Sequence, residues 1–288
     1  MSEQVVTKKK SMAQEKFRAF LKNKLAVAGA LLLIAMIILS AMSPIIAPYG
    51  YDEQNYEEAR QTPSAKHWAG TDELGRDIFS RILYGGRVSL TIGIISVGIG
   101  LMAGGSLGVL AAFYGGKVET VIMRLIDVLM AIPSIILSIS VCAALGSGIV
   151  NTMIAVGISS IPTYARVFRS SVISEKAKEY VEAARAVGAG NGRIILKHIL
   201  PNSLAPVIVQ ASLGVAQSIT TAASRSFIGL GIQPPNPEWG ALLSGGRQYI
   251  RDYPHMVVFP GIAIMLTVLA LNLIGDGLRD ALDPRLKR

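Results

Sequence analysis

Five long stretches of this chain, 25–47, 88–116, 128–165, 202–224 and 253–275, contain no Asp, Glu, Lys or Arg. A hydrocarbon layer about 30 Å thick takes about 20 helical residues to cross, so each stretch is long enough to span it. The run from Val128 to Ala165 holds two crossings, with Gly146-Ser147-Gly148 as the turn between them. The pattern predicts an all-α integral membrane protein with six spanning helices, over 25–47, 88–114, 119–145, 149–168, 203–228 and 254–276.

The connections have their own patterns. Residues 1–24 are polar and Lys-rich, with Phe17, Phe20 and Leu21 on one face of a short amphipathic helix. The first apolar run is too long and too deep for a cleaved signal, and Ser43-Pro44 and Pro48 stand where a cleavage site would be, so it is read as a retained span. The 48–86 loop ends in Asp77 to Tyr84, where Ile78, Phe79, Ile82 and Leu83 predict an interfacial helix leading into the second span. Arg76, Asp77 and Arg81 are expected either to pair locally or to sit as solvated surface charges. In the second span, Gly100, Gly104 and Gly108 repeat at a four-residue interval, which lets helix backbones approach closely in lipid.

Composition agrees with the pattern: the 288 residues are 51% hydrophobic and 16% charged, with a mean hydropathy of +0.47. Charge then sets orientation. Residues 1–24 hold seven Lys and Arg, the 166–198 connection seven, and the tail from Arg279 four, whereas 48–86 holds seven acids against four bases. Basic loops resist translocation, so both termini and the 166–198 connection are expected in the cytoplasm. The net charge of +9 is thereby explained by topology and calls for no nucleic-acid partner. Cys142 is the single cysteine and excludes an intramolecular disulfide.

The 170–200 segment carries the chemistry. Ser174 is placed to cap a helix of about 13 residues, roughly 20 Å long, through Val187 to Gly188, and a second short helix runs from Asn191 to before Pro201. Glu182-Ala183-Ala184, then Gly188, then Leu200-Pro201 form a spaced set. Paired alanines leave a face that another protein can approach, Glu182 puts a charge beside it, and Gly188 takes a positive-φ turn. Val187→Ile is expected to be nearly silent if that side of the helix faces the membrane domain with room to spare.

That spacing resembles the cytoplasmic signature of importer-type ABC permeases. The stretches GTDELGRDIFSRILYGGRVSL, FYGGKVETVIMRLIDVLMAIPSI, EYVEAARAVGAGNGRIILKHILPN, SFIGLGIQPPNPEWGALLSGGR and GDGLRDALDPRL resemble the second permease subunit of dipeptide, oligopeptide and nickel importers. The resemblance runs from about Trp68 to Leu286. Charge pattern and resemblance together predict a cytoplasmic segment 1–24, a first transmembrane helix 25–47, an extracytoplasmic loop 48–86, a permease core 87–280 and a tail 281–288. The resemblance also implies partners: a homologous permease, two cytoplasmic ATPases that use ATP and Mg, and an extracytoplasmic substrate-binding protein. Glu182, Ala183, Ala184, Gly188, Leu200 and Pro201 are then the ATPase-coupling residues. Dipeptides, oligopeptides, nickel and metal chelates all remain open as cargo.

Other chemistries fit less well. The chain has no G-x4-G-K-[ST] phosphate loop, so no cofactor is expected on it and ATP hydrolysis belongs to a partner. His67, His198 and His255 lie in three segments without metal-ligand spacing. Gly104-Gly105-Ser106-Leu107-Gly108 matches a serine-hydrolase elbow in letters, but it sits inside a span, and His255 begins a span at the opposite face. A channel or secretion component shares the six spans but needs no ATPase-docking loop. Arg225 ends the fifth span. A cation there either snorkels to the interface or lines the transport cavity, where it meets a substrate carboxylate or phosphate.

Overall fold

The computed structural model describes residues 12–282. Residues 1–11 and 283–288, which supply part of the basic charge used above for topology, lie outside the described residues. Among the described residues every named element is helical. Helix α1 (Met12–Lys22) is separated from α2 (Lys24–Ala41) by Asn23, whose side-chain oxygen accepts from the Ala26 amide at 3.1 Å and caps α2. A single turn, α3 (Ser43–Ile46), with Pro44 at its start, leads into the 47–77 loop.

Helix α4 (Ile78–Tyr114) is continuous over 37 residues, about 55 Å long. The expected interfacial helix and second span are therefore one element. Asp77 caps it, accepting from the Ser80 amide at 2.7 Å. At Gly85 and Gly86 the helix is closely approached: a Cβ would meet the Pro237 carbonyl at the first and the Ser40 hydroxyl at the second, with the Trp239 ring beside both. The Trp239 indole also donates to the Ile82 carbonyl at 2.9 Å.

The expected third span is broken. Helices α5 (Gly116–Ala131) and α6 (Ser134–Leu145) meet at 91°. Pro133 is the cause: its ring cannot continue a helix, and the residue before it, Ile132, is pushed to φ −91° and ψ 123°. Helix α7 (Ile149–Lys176) runs unbroken past the expected end of the fourth span, so Ser174 lies inside it and caps nothing. The following helix α8 (Glu179–Ala186) has eight residues, about 12 Å, and not the thirteen expected.

Helix α9 (Asn191–Phe227) carries a π-helical stretch at Ile194–Ile199, just before Pro201. There the Leu200 amide bonds to the carbonyl of Ile195, and the widened turn accommodates a proline that has no amide to offer Lys197. Helix α10 (Trp239–Gly246) is capped by the Glu238 carboxylate, which accepts from the Gly240 and Ala241 amides at 2.9 Å each. Burial pushes the Glu238 carboxyl above its ordinary pKa against these bonds. Helix α11 (His255–Leu282) completes the bundle.

The central packing is α4 on α7. Gly104 and Gly108 lie directly over the carbonyl oxygens of Ile161 and Ala165, so any Cβ there would collide with α7 backbone. The glycine stripe is thus consumed inside the chain. Helices α2, α4, α9 and α11 are long and apolar enough to cross a membrane, and the bent α5–α6 pair makes a further segment. Helix α7 is long enough too, at about 42 Å, but carries Ser159, Ser160, Thr163 and Arg166. These six segments form a multi-pass membrane protein.

Candidate functional site: the α8 knob and a polar wall

Gly188 takes φ +79°, as the turn requires. Around it the Ala189 amide donates to the Ala184 carbonyl at 3.0 Å and the Gly188 amide to Arg185 at 2.9 Å, the paired bonds that close a helix on a left-handed residue. No atom stands within 4 Å of where a Gly188 Cβ would be. The bend therefore depends on backbone conformation and not on space.

The body of α8 faces two ways. Val181 and Ala184 are buried in one cluster with Phe113 of α4, Val172 of α7 and Ile194 of α9. Ala184 is only 8% exposed, so it belongs to the chain's own core and not to a free face. Glu182, Ala183 and Ala186 are exposed, and Val187 is 85% exposed. Val187 therefore does not face the membrane domain: the outward surface runs from Glu182 and Ala183 to Val187. Reading Ala183 and Ala184 as one contact face overlooked that adjacent helical residues point about 100° apart.

Polar contacts fix the same helix. Tyr180 donates to Glu175 of α7 at 2.7 Å and accepts from Asn202 of α9 at 3.4 Å. Burial, with the Glu175 contact adding to it, pushes the Tyr180 phenol up to about 12, so it stays a neutral donor. Lys176 donates to the Phe113 carbonyl at 2.6 Å, capping α4. Leu200 is half-buried against the cluster, whereas Pro201 is exposed. Glu182, Ala183, Ala184, Gly188, Leu200 and Pro201 thus lie in one region, but as a knob and its mount and not as one surface.

A second feature was not singled out in the sequence. A groove of about 410 Å³ opens at mid-bundle, lined by Ser159 and Thr163 of α7, Gln210, Gln217 and Thr221 of α9, and Asn272 of α11. Its lining bears hydroxyls and amides and no formal charge. Gln210, Gln217 and Thr221 are spaced by seven and four, and Ser159, Thr163, Ser170 and Ser174 by four, seven and four, so each set follows one helix face. That periodic polar stripe within an apolar run was the available signal. Ser170 and Ser174 share a further opening with Asn202, beside Tyr180, so the polar face leads toward the mount of α8. Nearby, Arg166 pairs with Asp127 at 2.7 Å and Arg169 with Glu119, holding α5 to α7.

Arg225 is neither at an interface nor in this groove. It is 0% exposed and donates to Ser138 Oγ at 2.5 Å and to Cys142 Sγ at 3.3 Å, both on α6, and to the Thr152 carbonyl of α7 at 3.4 Å. Full burial overturns the snorkelling placement, and Arg225 is not among the residues that line the groove. Ser106, weighed above as a nucleophile, donates to its own helix at Met102 at 2.7 Å, while His255 packs against Gly70 at the opposite end of the bundle. Nor are Arg76, Asp77 and Arg81 solvated: all three are buried, Arg76 with Asp72 at 2.6 Å and Asp77 with His67 at 2.9 Å.

Residues 104–288 match the family described as the binding-protein-dependent transport system inner membrane component. The chain belongs to that family. Residues 11–63 also match the N-terminal transmembrane domain of oligopeptide transport permease C. This permease is 48% identical, over 95% of its length and 90% of the relative's, to the dipeptide transport system permease protein DppC of Alkalihalophilus pseudofirmus. It is 48% identical over 95% and 91% to the glutathione transport system permease protein GsiD of Pectobacterium atrosepticum. To the di/tripeptide permease DppC of Pseudomonas aeruginosa it is 44% identical over 96% and 93%.

Among solved structures, an inward-facing form of the MetNI methionine ABC transporter superposes with a TM-score of 0.59, covering 70% of this chain and 96% of that one. At 19% identity that likeness is one of fold alone. The chain is accordingly a non-enzymatic transmembrane component of an ABC importer.

Proposed function

We propose that this permease forms half of a pathway for di- or oligopeptides across the bacterial inner membrane and docks a separate ATPase through α8. Both termini and α8 face the cytoplasm in this reading, as the basic connections favour. The 47–77 loop and α10 then face outward, toward a substrate-binding protein. A homologous permease supplies the other half of the path, and two cytoplasmic subunits use ATP and Mg. The relatives named for dipeptides, di/tripeptides and glutathione support a peptide cargo. So does the groove, since amides and hydroxyls pair with peptide backbone.

The observation that carries the docking assignment is the orientation of α8: a small, exposed knob ending at Val187, mounted on a buried cluster that ties it to α4, α7 and α9. A rigid mount transmits displacement because packed cores yield little. The test is reconstitution with partner permease, ATPases and binding protein. Labelled dipeptide should accumulate only with ATP, and loaded binding protein should stimulate hydrolysis. Hydrolysis without uptake of any peptide would refute the cargo assignment.

A further inference from the structure

At the end of the bundle opposite α8, the first turn of α4, the ends of α9 and α11 and helix α10 enclose a cavity of about 190 Å³, separate from the proposed pathway. Its charged wall is Asp72, Glu73, Arg76 and Arg81. Arg76 is occupied, by Asp72 Oδ2 at 2.6 Å through Nε and by Glu73 Oε1 at 3.3 Å through Nη2. Arg81, only 2% exposed, is occupied only in part. It donates through Nη1, to the Tyr51 carbonyl at 3.4 Å, with Asp72 Oδ2 at 3.5 Å. Its Nε is buried and finds no acceptor among the described residues, and Nη2 makes no bond there either. Nε and Nη2 form the edge with which a guanidinium grips a carboxylate through two parallel bonds.

Charge balance narrows the ligand further. Two guanidiniums face two carboxylates, so the wall is neutral as it stands. A simple anion would add an uncompensated charge to a partly enclosed site, which is costly, whereas a zwitterion would not. Glu73 is the more open of the two carboxylates and engages Arg76 through Oε1 alone, leaving Oε2 for an ammonium. The remaining wall includes Ile78, Ile232 and Met256, an apolar surface. The volume is below the roughly 300–1,000 Å³ of sites for drug-sized molecules.

We propose that this cavity binds a free α-amino acid with an apolar side chain, its carboxylate on the Nε–Nη2 edge of Arg81, its ammonium on Glu73 and its side chain against Ile78, Ile232 and Met256. A dipeptide is not expected to fit, because its ammonium and carboxylate belong to different residues. The ligand is therefore distinct from the cargo, and the site does not depend on the pathway assignment. Occupancy would tie the outer ends of α4, α9, α10 and α11 together.

The test is equilibrium binding of radiolabelled leucine to the purified membrane complex with its ATPases, without binding protein. Unlabelled leucine should displace the label, while leucinamide, 4-methylpentanoate and leucylleucine should each compete at least tenfold more weakly. Arg81→Lys and Glu73→Gln should each weaken leucine at least tenfold, and Gln217→Leu in the groove should leave it unchanged. Because the analogue series uses the unaltered complex, it decides the matter even if a variant fails to assemble. No saturable leucine binding would overturn the proposal. So would equal competition by leucinamide, or binding that Gln217→Leu abolishes.

Discussion

The Ala189 amide donates to the carbonyl of Ala184 at 3.0 Å, and this bond ties the exposed end of α8 to a residue buried in the core. Everything that α8 presents outward is aimed by that closure, with Gly188 as the residue that permits it.

Substitutions at Gly188 should act through backbone conformation alone. An L-residue in the left-handed region costs about 1–2 kcal/mol, more when β-branched, and no neighbour adds a clash here. Gly188→Val is expected to insert and assemble but to lose most peptide uptake, while Gly188→Asn, which tolerates φ above zero, should retain most of it. Uptake by reconstituted vesicles, with subunit stoichiometry read from a gel, separates the two. Equal activity of both variants would show that the bend does not aim the knob.

Arg225 hydrogen-bonds to neutral partners, two side chains and a backbone carbonyl, and although the buried Glu238 acts on it through space, its removal breaks no direct ion pair among the described residues. Replacing a buried charge by a hydrophobe of similar volume is often neutral or stabilising. Arg225→Met should therefore change the melting temperature of the complex little. The ratio of anionic to neutral peptide uptake should also stay unchanged, because Arg225 is not among the residues that line the groove. A ratio that falls severalfold would place Arg225 on the path after all.

The groove makes the opposite prediction. A charge at Gln217 would enter a lining that has none. Gln217→Glu should depress uptake of acidic peptides relative to basic ones by about tenfold, equivalent to about 1.4 kcal/mol of like-charge discrimination. Competition uptake with matched dipeptides measures it. Uniform loss across all peptides would indicate damage to folding and not a pathway contact.

The 47–77 loop should loosen in acid. The Lys66 and His67 contacts hold the Glu58 carboxyl below its ordinary 4.5, and Glu58 in turn raises Lys66 above 10.5. A depressed carboxylate contributes stability above its unfolded pKa and loses it as pH falls through the folded value, so the loss belongs below pH 4.5. For Lys66 the contribution is present below 10.5 and disappears as pH rises through the folded value. Fluorescence of Trp68, which packs on Phe79 at 4.9 Å between ring centres, should report the acid transition, and Glu58→Gln should abolish it.

The apolar spans were legible because absence of charge over twenty residues is a strong constraint. The break at Ile132-Pro133 was written in the sequence as well, yet the charge-free run outweighed a single proline. Ser174 looked like a cap because short polar residues favour that role, but α7 continues through it on contacts that Phe168 and Val172 make elsewhere in the fold. The direction of Ala184 depended on Phe113, 71 positions away, and no local pattern encodes such a pairing. The same holds at the other end: His67 meets both Glu58 and Asp77, a bridge across a loop that spacing alone does not reveal. In contrast, the polar stripe of Gln210, Gln217 and Thr221 was there to be counted.

The proposed docking through α8 turns on which of its sides meets the ATPase. Cysteines placed singly at Val187 and Ala184, in a complex whose Cys142 is replaced by serine, can be treated with a short bifunctional crosslinker after reconstitution. Val187→Cys should form a crosslink to the ATPase subunit that changes with ATP, whereas Ala184→Cys, buried against Phe113 and Val172, should form none. A crosslink from Ala184→Cys with none from Val187→Cys would contradict the orientation of the knob, and absence of both in an actively transporting complex would contradict docking through α8.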